Sequence, residues 1–181
     1  MKFVIAFEIP KTAHSPKLCM LLVLLLGLSM SNHGRADDIS HSQRPNIVIV
    51  LVDDMGFSDV GCYGGEIHTP NLDLLASQGV RCSHFYNASR SCPSRASLLT
   101  GLYPHQAGMG HMSNGLKLKP NNEHIESYQG YLPQNVPTIA DLLADKGYYT
   151  CISGKWHVGD EEPHFPYRHG FQKSIFMGWG S

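Results

Sequence analysis

Three short apolar segments predict the strands of a sheet. Residues 46–52 are almost continuously Ile, Val and Leu, with no alternation of polar positions. Such a run is typical of a strand that is buried on both faces, as in a parallel sheet. Residues 80–86 and 148–153 are two further strand candidates. The chain is therefore expected to build its core around a sheet.

Three segments between and beside these strands have the residue pattern of helices. These segments are 69–79, 93–100 and 138–147. Thr or Pro stands near the start of each, and Gly stands at its end or directly after it. The order strand, helix, strand, helix, helix, strand predicts an α/β fold with a mostly parallel central sheet flanked by helices. Because ligands bind beyond the carboxyl ends of strands in such sheets, residues that follow a strand are the candidates for chemistry.

Two pairs of polar residues stand at such strand ends. Asp53 and Asp54 follow the first strand, and Lys155 and His157 follow the third. Two carboxylates supply the charge and oxygen ligands of a hard cation such as Ca²⁺ or Mg²⁺, although a turn with a local hydrogen bond is a common alternative. Lys155 and His157 are two residues apart, so they face the same side of an extended stretch.

The segment Ser91-Cys92-Pro93-Ser94-Arg95 continues into a helix that ends in Leu-Thr-Gly. It resembles the signature of the type I sulfatases, in which a Cys or Ser two residues before Pro is oxidised to formylglycine, the nucleophile of the family. The residue two before Pro93 is Ser91, not Cys92. The resemblance therefore implies a serine-type sulfatase of the alkaline-phosphatase-like superfamily, a sulfuric ester hydrolase that cleaves sulfate monoesters.

The same resemblance assigns roles to the residues at the strand ends. Asp53 and Asp54 match metal ligands, with residue 91 as a third, which implies Ca²⁺, or alternatively Mg²⁺. The segment Gly154–Gly159 resembles the Gly-Lys-Trp-His-Leu-Gly element of the family, with Val in place of Leu. By that match Lys155 binds the sulfate or the aldehyde hydrate, and His157 polarises a hydroxyl or transfers a proton.

Arg95 stands about one turn into the predicted helix. There it can orient the nucleophile and offset negative charge. His105 and His111 are near the motif and are interpreted as structural or surface residues. The glycosylation pattern Asn87-Ala88-Ser89 lies too near the expected site to carry a glycan.

The first 36 residues resemble an export signal. Lys11 and Lys17 precede the apolar run Leu18–Leu28, and Gly34-Arg35-Ala36 offers a cleavage site. The run is shorter than the roughly 18–20 residues of a membrane span, so no stable membrane insertion is expected. Residues 37–181 match the N-terminal portion of a sulfatase catalytic domain. The family's remaining metal ligands have no match before Ser181, so this portion alone is expected to be inactive and to bind metal weakly.

Composition limits the classes of partner. The net charge of -1 does not indicate nucleic-acid binding. Four cysteines remain after the predicted signal, and one or two disulfides of unknown pairing stay open. The resemblance implies an aryl sulfate or a sulfated glycan as substrate, a formylglycine-generating maturase of the radical iron–sulfur type as partner, and a bacterial host that exports the protein to its periplasm or medium.

Two alternatives remain open at this level. The first is a phosphatase or phosphodiesterase of the same superfamily that uses Ser91 unmodified on a metal. The second is a degenerate, non-catalytic domain that binds sulfated glycans.

Overall fold

The residues that the structure describes form a four-stranded sheet with three α-helices. The computed structural model describes the backbone of residues 3–8 and the residues 44–113 and 125–178. The strands are β1 (Phe3–Glu8), β2 (Ile47–Leu51), β3 (Tyr149–Lys155) and β4 (Lys173–Met177). The helices are α1 (Pro70–Gln78), α2 (Ser91–Thr100) and α3 (Ile139–Ala144). No helix in these ranges is both long and apolar enough to cross a bilayer.

The strands lie in the order β2-β1-β3-β4. β1 is antiparallel to both of its neighbours, and β3 and β4 are parallel, so β2, β3 and β4 share one direction. The predicted α/β fold with a mostly parallel sheet is therefore confirmed. β1 lies within the segment predicted as a signal peptide, whose remainder is outside the described residues, so the assignment of residues 1–36 stays a prediction.

The core occupies one face of the sheet. Along β2, Ile47, Ile49 and Leu51 pack against the core, whereas Val48 and Val50 alternate with them and are exposed, so the expectation that this strand is buried on both faces is wrong for the described residues. The helices α2 and α3 contribute Ala96, Leu99 and Ala140 to the core, and the other buried apolar residues include Leu132, Ile152, Trp156 and Phe171. This packing places the first residue of α2 beside the carboxyl ends of β2 and β3.

The strand predicted over residues 80–86 is wrong. The structure has no regular element there, and Val80, Phe85 and Tyr86 are more than four-fifths exposed. The segment is held instead by the Tyr63 hydroxyl, which donates to the Cys82 carbonyl at 3.1 Å. A preference for strand reflects packing against neighbouring strands and burial, and this segment lacks both in the described part of the chain.

Two helix starts depend on side chains in different ways. Thr138 caps α3 through a reciprocal pair of hydrogen bonds. The Thr138 hydroxyl accepts from the backbone amide of Asp141, and the Asp141 carboxylate accepts from the backbone amide of Thr138. Helix α2 begins at Ser91, two residues before the predicted start. Pro93 is tolerated there because the amides of a first turn have no intrahelical partner.

The buried histidine His169 predicts a loss of stability at mildly acidic pH. It is 1% exposed and packs against Trp156, and burial lowers its pKa from 6.5 to about 4. The unfolded chain therefore takes up this proton as the pH falls below 6.5, whereas the folded chain does so only near 4. Stability present above pH 6.5 is lost toward pH 4, by about 3 kcal/mol.

We expect His169→Phe to flatten the dependence of the melting temperature on pH between 7 and 4.5. The ring keeps its packing against Trp156 and no longer titrates. His105→Phe is the control, because His105 is exposed and its removal should leave the slope unchanged. An identical slope in His169→Phe and the wild type would show that His169 does not cause the pH dependence.

Candidate active site

Side chains from two strand ends and one helix start meet at the edge of the sheet. Asp53 follows β2, Lys155 ends β3, and the Lys155 ammonium donates to Asp53 Oδ2 at 2.7 Å. Ser91 begins α2, and its Oγ lies 3.1 Å from His157 Nδ1. The structure thus brings together residues that are separated by up to 104 positions, as the strand-end argument predicts.

Arg95 connects the three elements. One turn after Ser91, its Nε donates to Ser91 Oγ at 3.0 Å, and its Nη1 donates to the Lys155 carbonyl at 2.7 Å. Its Nη2 lies 3.6 Å from Asp53 Oδ1, and the side chain is 1% exposed. A planar guanidinium can make these contacts together because its donors point in fixed, divergent directions. Arg95 therefore fixes the nucleophile position relative to both strand ends.

Ser91 and Cys92 point into different surroundings. Ser91 lines the cavity at the strand ends, whereas Cys92 is wholly buried in the core. Successive residues of a helix are about 100° apart around its axis, so only one of the two can face the site. Burial also raises the pKa of the Cys92 thiol, which keeps it neutral. The geometry favours Ser91 as the residue that presents its side chain to the site.

Charge at the site is set by competing effects. Burial opposes ionisation of Asp53, but the hydrogen bond and charge of Lys155, with the charge of Arg95, outweigh it, so the pKa of Asp53 lies below its ordinary value. Burial, and then the positive charge of Lys155, lower the pKa of His157. At neutral pH the site therefore holds an ionised carboxylate and a neutral imidazole.

A cavity of about 380 Å³ opens at this cluster, lined by Asp53, Asp54, Arg90, Ser91, Met112 and Lys155. A second, of about 210 Å³, also borders Asp53, Asp54, Arg90 and Ser91. Asp54 is exposed and has a left-handed backbone with φ of 58°. This conformation is uncommon for residues other than Gly, Asn and Asp, and it accompanies the turn by which the chain leaves β2.

The predicted metal ligands have the atom type that a hard cation prefers. Asp53, Asp54 and Ser91 offer oxygen ligands to one cavity, which is the chemistry that Ca²⁺ and Mg²⁺ prefer. Their number is small, because Ca²⁺ takes about six to eight oxygens. Within residues 44–113 and 125–178, no group of three or more His, Cys, Asp or Glu side chains could hold a metal. The described residues alone therefore do not complete a metal site.

Two histidines near the motif differ in their surroundings. His111 Nε2 lies 3.1 Å from Nη1 of Arg90, which lines the cavity, but His111 itself is not a lining residue. His105 is exposed and stacks on Tyr103. Arg90 was not among the residues predicted from the sequence, because a single arginine before a helix carries no pattern of its own.

The remaining sequence features lie beside the site or apart from it. Asn87 lines the smaller cavity, and its side chain accepts a bond from the Ser89 amide at 2.7 Å. The four cysteines in the described ranges are free thiols. Neither a glycan at Asn87 nor a disulfide follows from these contacts.

Comparison with known proteins assigns the chain to a family. The model of the family described as Sulfatase matches residues 45–181. The chain belongs to the sulfatase family. Sulfatases generally use a formylglycine and a divalent metal.

Three curated relatives illustrate the similarity. The arylsulfatase of Klebsiella aerogenes is 41% identical over 143 residues, which cover 78% of this chain and 30% of that protein. The human steryl-sulfatase is 44% identical, over 73% of this chain and 23% of its own length. An uncharacterized sulfatase of Schizosaccharomyces pombe is 39% identical, over 76% and 25%. The chain thus spans between a fifth and a third of the length of these relatives.

Solved structures agree with the family assignment. The crystal structure of Ps i-CgsB matches with a TM-score of 0.58 and 35% identity, over 71% of this chain and 27% of that one. The same protein in complex with k-i-k-neocarrahexaose matches with a TM-score of 0.58 and 36% identity, at the same coverage. The sheet and helices described above therefore correspond to part of a sulfatase-like α/β core.

Proposed function

We propose that this chain carries the nucleophile, and the side chains that contact it, of the active site of a sulfuric ester hydrolase that cleaves sulfate monoesters. The observation that carries the proposal is the hydrogen-bonded cluster of Asp53, Ser91, Arg95, Lys155 and His157 at the sheet edge. Its cations suit an anionic substrate, and its central hydroxyl touches both a buried guanidinium and an imidazole. Membership in the sulfatase family supports the same reaction.

The nucleophile is proposed to be residue 91 as formylglycine, formed by oxidation of Ser91. In its hydrated form the aldehyde carries two hydroxyls on one carbon. One attacks sulfur, the ester S–O bond breaks, and the alcohol leaves with a proton. The other hydroxyl then loses its proton, the bond from carbon to the sulfated oxygen breaks, and sulfate departs as the aldehyde re-forms. Water restores the hydrate, so no second attack at sulfur is needed.

The neighbouring side chains have separate tasks in this scheme. Arg95 holds the oxygen of residue 91 through its Nε and adds positive charge to the site. Lys155 lies between Asp53 and the cavity, where its ammonium can contact a sulfate oxygen. His157, 3.1 Å from the oxygen at position 91, is placed to accept and return the proton of a hydroxyl there.

A divalent cation is part of the proposal. Asp53 and Asp54 would hold it together with a hydroxyl of residue 91, and Ca²⁺ is preferred over Mg²⁺ as the hard cation that accepts irregular oxygen coordination. When bound, it supplies positive charge that stabilises the negative charge developing on the reacting oxygens. Ligands beyond the described residues are needed to complete its coordination.

The decisive experiment is mass spectrometry of the tryptic peptide Ser91–Arg95 from the protein made in its native host. We expect a loss of two hydrogens at Ser91 and reaction of the peptide with an aldehyde-specific hydrazide. Cys92→Ala is the matched control and should retain the modification. A modification at Cys92 would contradict the assignment of the nucleophile, and an unmodified Ser91 would favour the phosphatase or the non-catalytic glycan-binding alternative.

The remaining parts of the proposal concern the protein's partners and location. Oxidation of a serine requires a maturase, which we propose to be a radical iron–sulfur enzyme of a bacterial host. Export through the segment 1–36 would place the protein in the periplasm or outside the cell. Aryl sulfates and sulfated glycans are both proposed as substrates, since the charged residues among those that line the described cavity can bind the sulfate of either class.

A further inference from the structure

Arg90 is a cation at the mouth of the site that the proposed chemistry does not use. It directly precedes Ser91, its backbone is extended, and it lines both cavities that border Ser91. Arg95, the other arginine of the motif, is buried and turned toward the strand ends. Both arginines line the smaller cavity, but only Arg90 also lines the larger one and is exposed to solvent.

His111 holds the Arg90 side chain in place. Arg90 Nη1 lies 3.1 Å from His111 Nε2, and because a guanidinium only donates, the ring nitrogen must accept. The opposite nitrogen, Nδ1, is buried and makes no hydrogen bond within the described residues. This arrangement restrains a side chain that would otherwise be free in solvent, and it uses only one of the five N–H donors of Arg90.

Arg90 forms no ion pair within residues 44–113 and 125–178, although Asp53 and Asp54 line the same cavities. The ion pairs of the site join Asp53 to Lys155 and to Arg95, and Arg90 takes part in neither. An exposed cation with several unused donors, held beside a cavity, is suited to bind an anionic group in a bidentate manner. The first anion of a sulfate ester belongs at Ser91, so Arg90 is available for another.

We propose that Arg90, positioned by His111, binds a second acidic group of the substrate, a sulfate or a carboxylate carried on the leaving-group side. This inference rests on the proposed function, because it assumes that the first sulfate binds at Ser91. It makes Arg90 a specificity-determining residue, which selects poly-anionic esters such as multiply sulfated or uronic-acid-containing glycans over esters with a neutral leaving group.

The test measures binding of three small probes to the full-length protein by calorimetry. Benzenesulfonate has one acidic group, whereas benzene-1,3-disulfonate and 3-sulfobenzoate add a second sulfonate or a carboxylate. We expect at least one of the two-acid probes to bind about tenfold more tightly than benzenesulfonate, as one charge-assisted bidentate contact allows. Which probe gains affinity distinguishes a second sulfate from a carboxylate.

Arg90→Gln should reduce this preference to within about twofold, and Arg90→Lys should retain part of it because the charge remains without the planar fork. Arg168→Gln is the matched control. Arg168 is exposed, pairs with Glu162 and lines neither cavity, so its removal should leave the preference unchanged.

Two results would overturn the inference. One is equal binding of all three probes by the wild type, and the other is a preference that persists in Arg90→Gln. Failure of the proposed function is recognised separately, since Ser91 would then remain unmodified in the protein made in its native host. A protein that carries formylglycine at position 91 but shows no preference among the probes retains its proposed function and lacks the Arg90 subsite.

Discussion

Ser91→Ala is expected to lower the hydrolysis of 4-nitrophenyl sulfate by at least about 10⁴-fold, since alanine has no oxygen that a maturase can convert to an aldehyde. The structure gives this residue a position that Cys92 cannot replace, because the thiol is wholly buried in the core. Initial rates of the full-length wild type and variant, both produced in the native host, measure the loss.

The stability of Ser91→Ala separates chemistry from folding. The variant loses the bond from Arg95 Nε and the contact with His157, at a cost of about 1 kcal/mol each. A melting temperature only a few degrees lower is therefore expected. Ser94→Ala, on the same helix and beside the smaller cavity, is the matched control and should keep its activity. Retention of more than a hundredth of the activity in Ser91→Ala would show that another residue is the nucleophile.

The parts of the site that were predictable share one physical reason. Parallel strands end at one edge of a sheet, so residues that follow different strands are brought together whatever their separation in sequence. Asp53 and Lys155 meet in this way, and their proximity could be predicted from the two strand ends alone. In the structure they form an ion pair at 2.7 Å. His157 also reaches Ser91, but it lies beyond the end of β3 and has a left-handed backbone with φ of 58°, so the predicted extended stretch does not account for this contact.

Other features depend on tertiary neighbours and were not predictable. The strand β4 contains Lys and Ser within five residues, and it forms because β3 beside it offers a parallel partner. Residues 80–86 have a stronger preference for strand and form none, because no strand lies beside them in the described part of the chain. β-propensity is decided by such neighbours more than by the segment itself.

The contacts of arginine side chains illustrate the same limit. The role of Arg95 toward Ser91 follows from their spacing of one helical turn. Its bond to the Lys155 carbonyl, in contrast, requires that α2 pack beside the end of β3, which only the folded chain establishes. The contact between Arg90 and His111 likewise joins a helix start to a loop 21 residues later.

Arg95→Met is expected to lower the free energy of unfolding by about 3 kcal/mol, and to abolish hydrolysis as well. Methionine preserves the length and apolar stem of the side chain, so the loss reports on the guanidinium. The Lys155 carbonyl loses its 2.7 Å donor, and Asp53 keeps only Lys155 as a charged partner. Removal of one partner from a buried network is costly because the other groups stay buried without compensation.

Denaturant unfolding of the full-length variants measures this cost, with Arg168→Met as control. Arg168 is more than half exposed in its pair with Glu162, so its loss should change the free energy by no more than about 1 kcal/mol. Arg95→Lys should fall between the two, because an ammonium retains the charge toward Asp53 but cannot reach both Ser91 and the Lys155 carbonyl. An equal change in the free energy of unfolding for Arg95→Met and Arg168→Met would contradict this prediction. The guanidinium of Arg95 would then contribute to the reaction but not to stability, and the apolar core would hold α2 against β3.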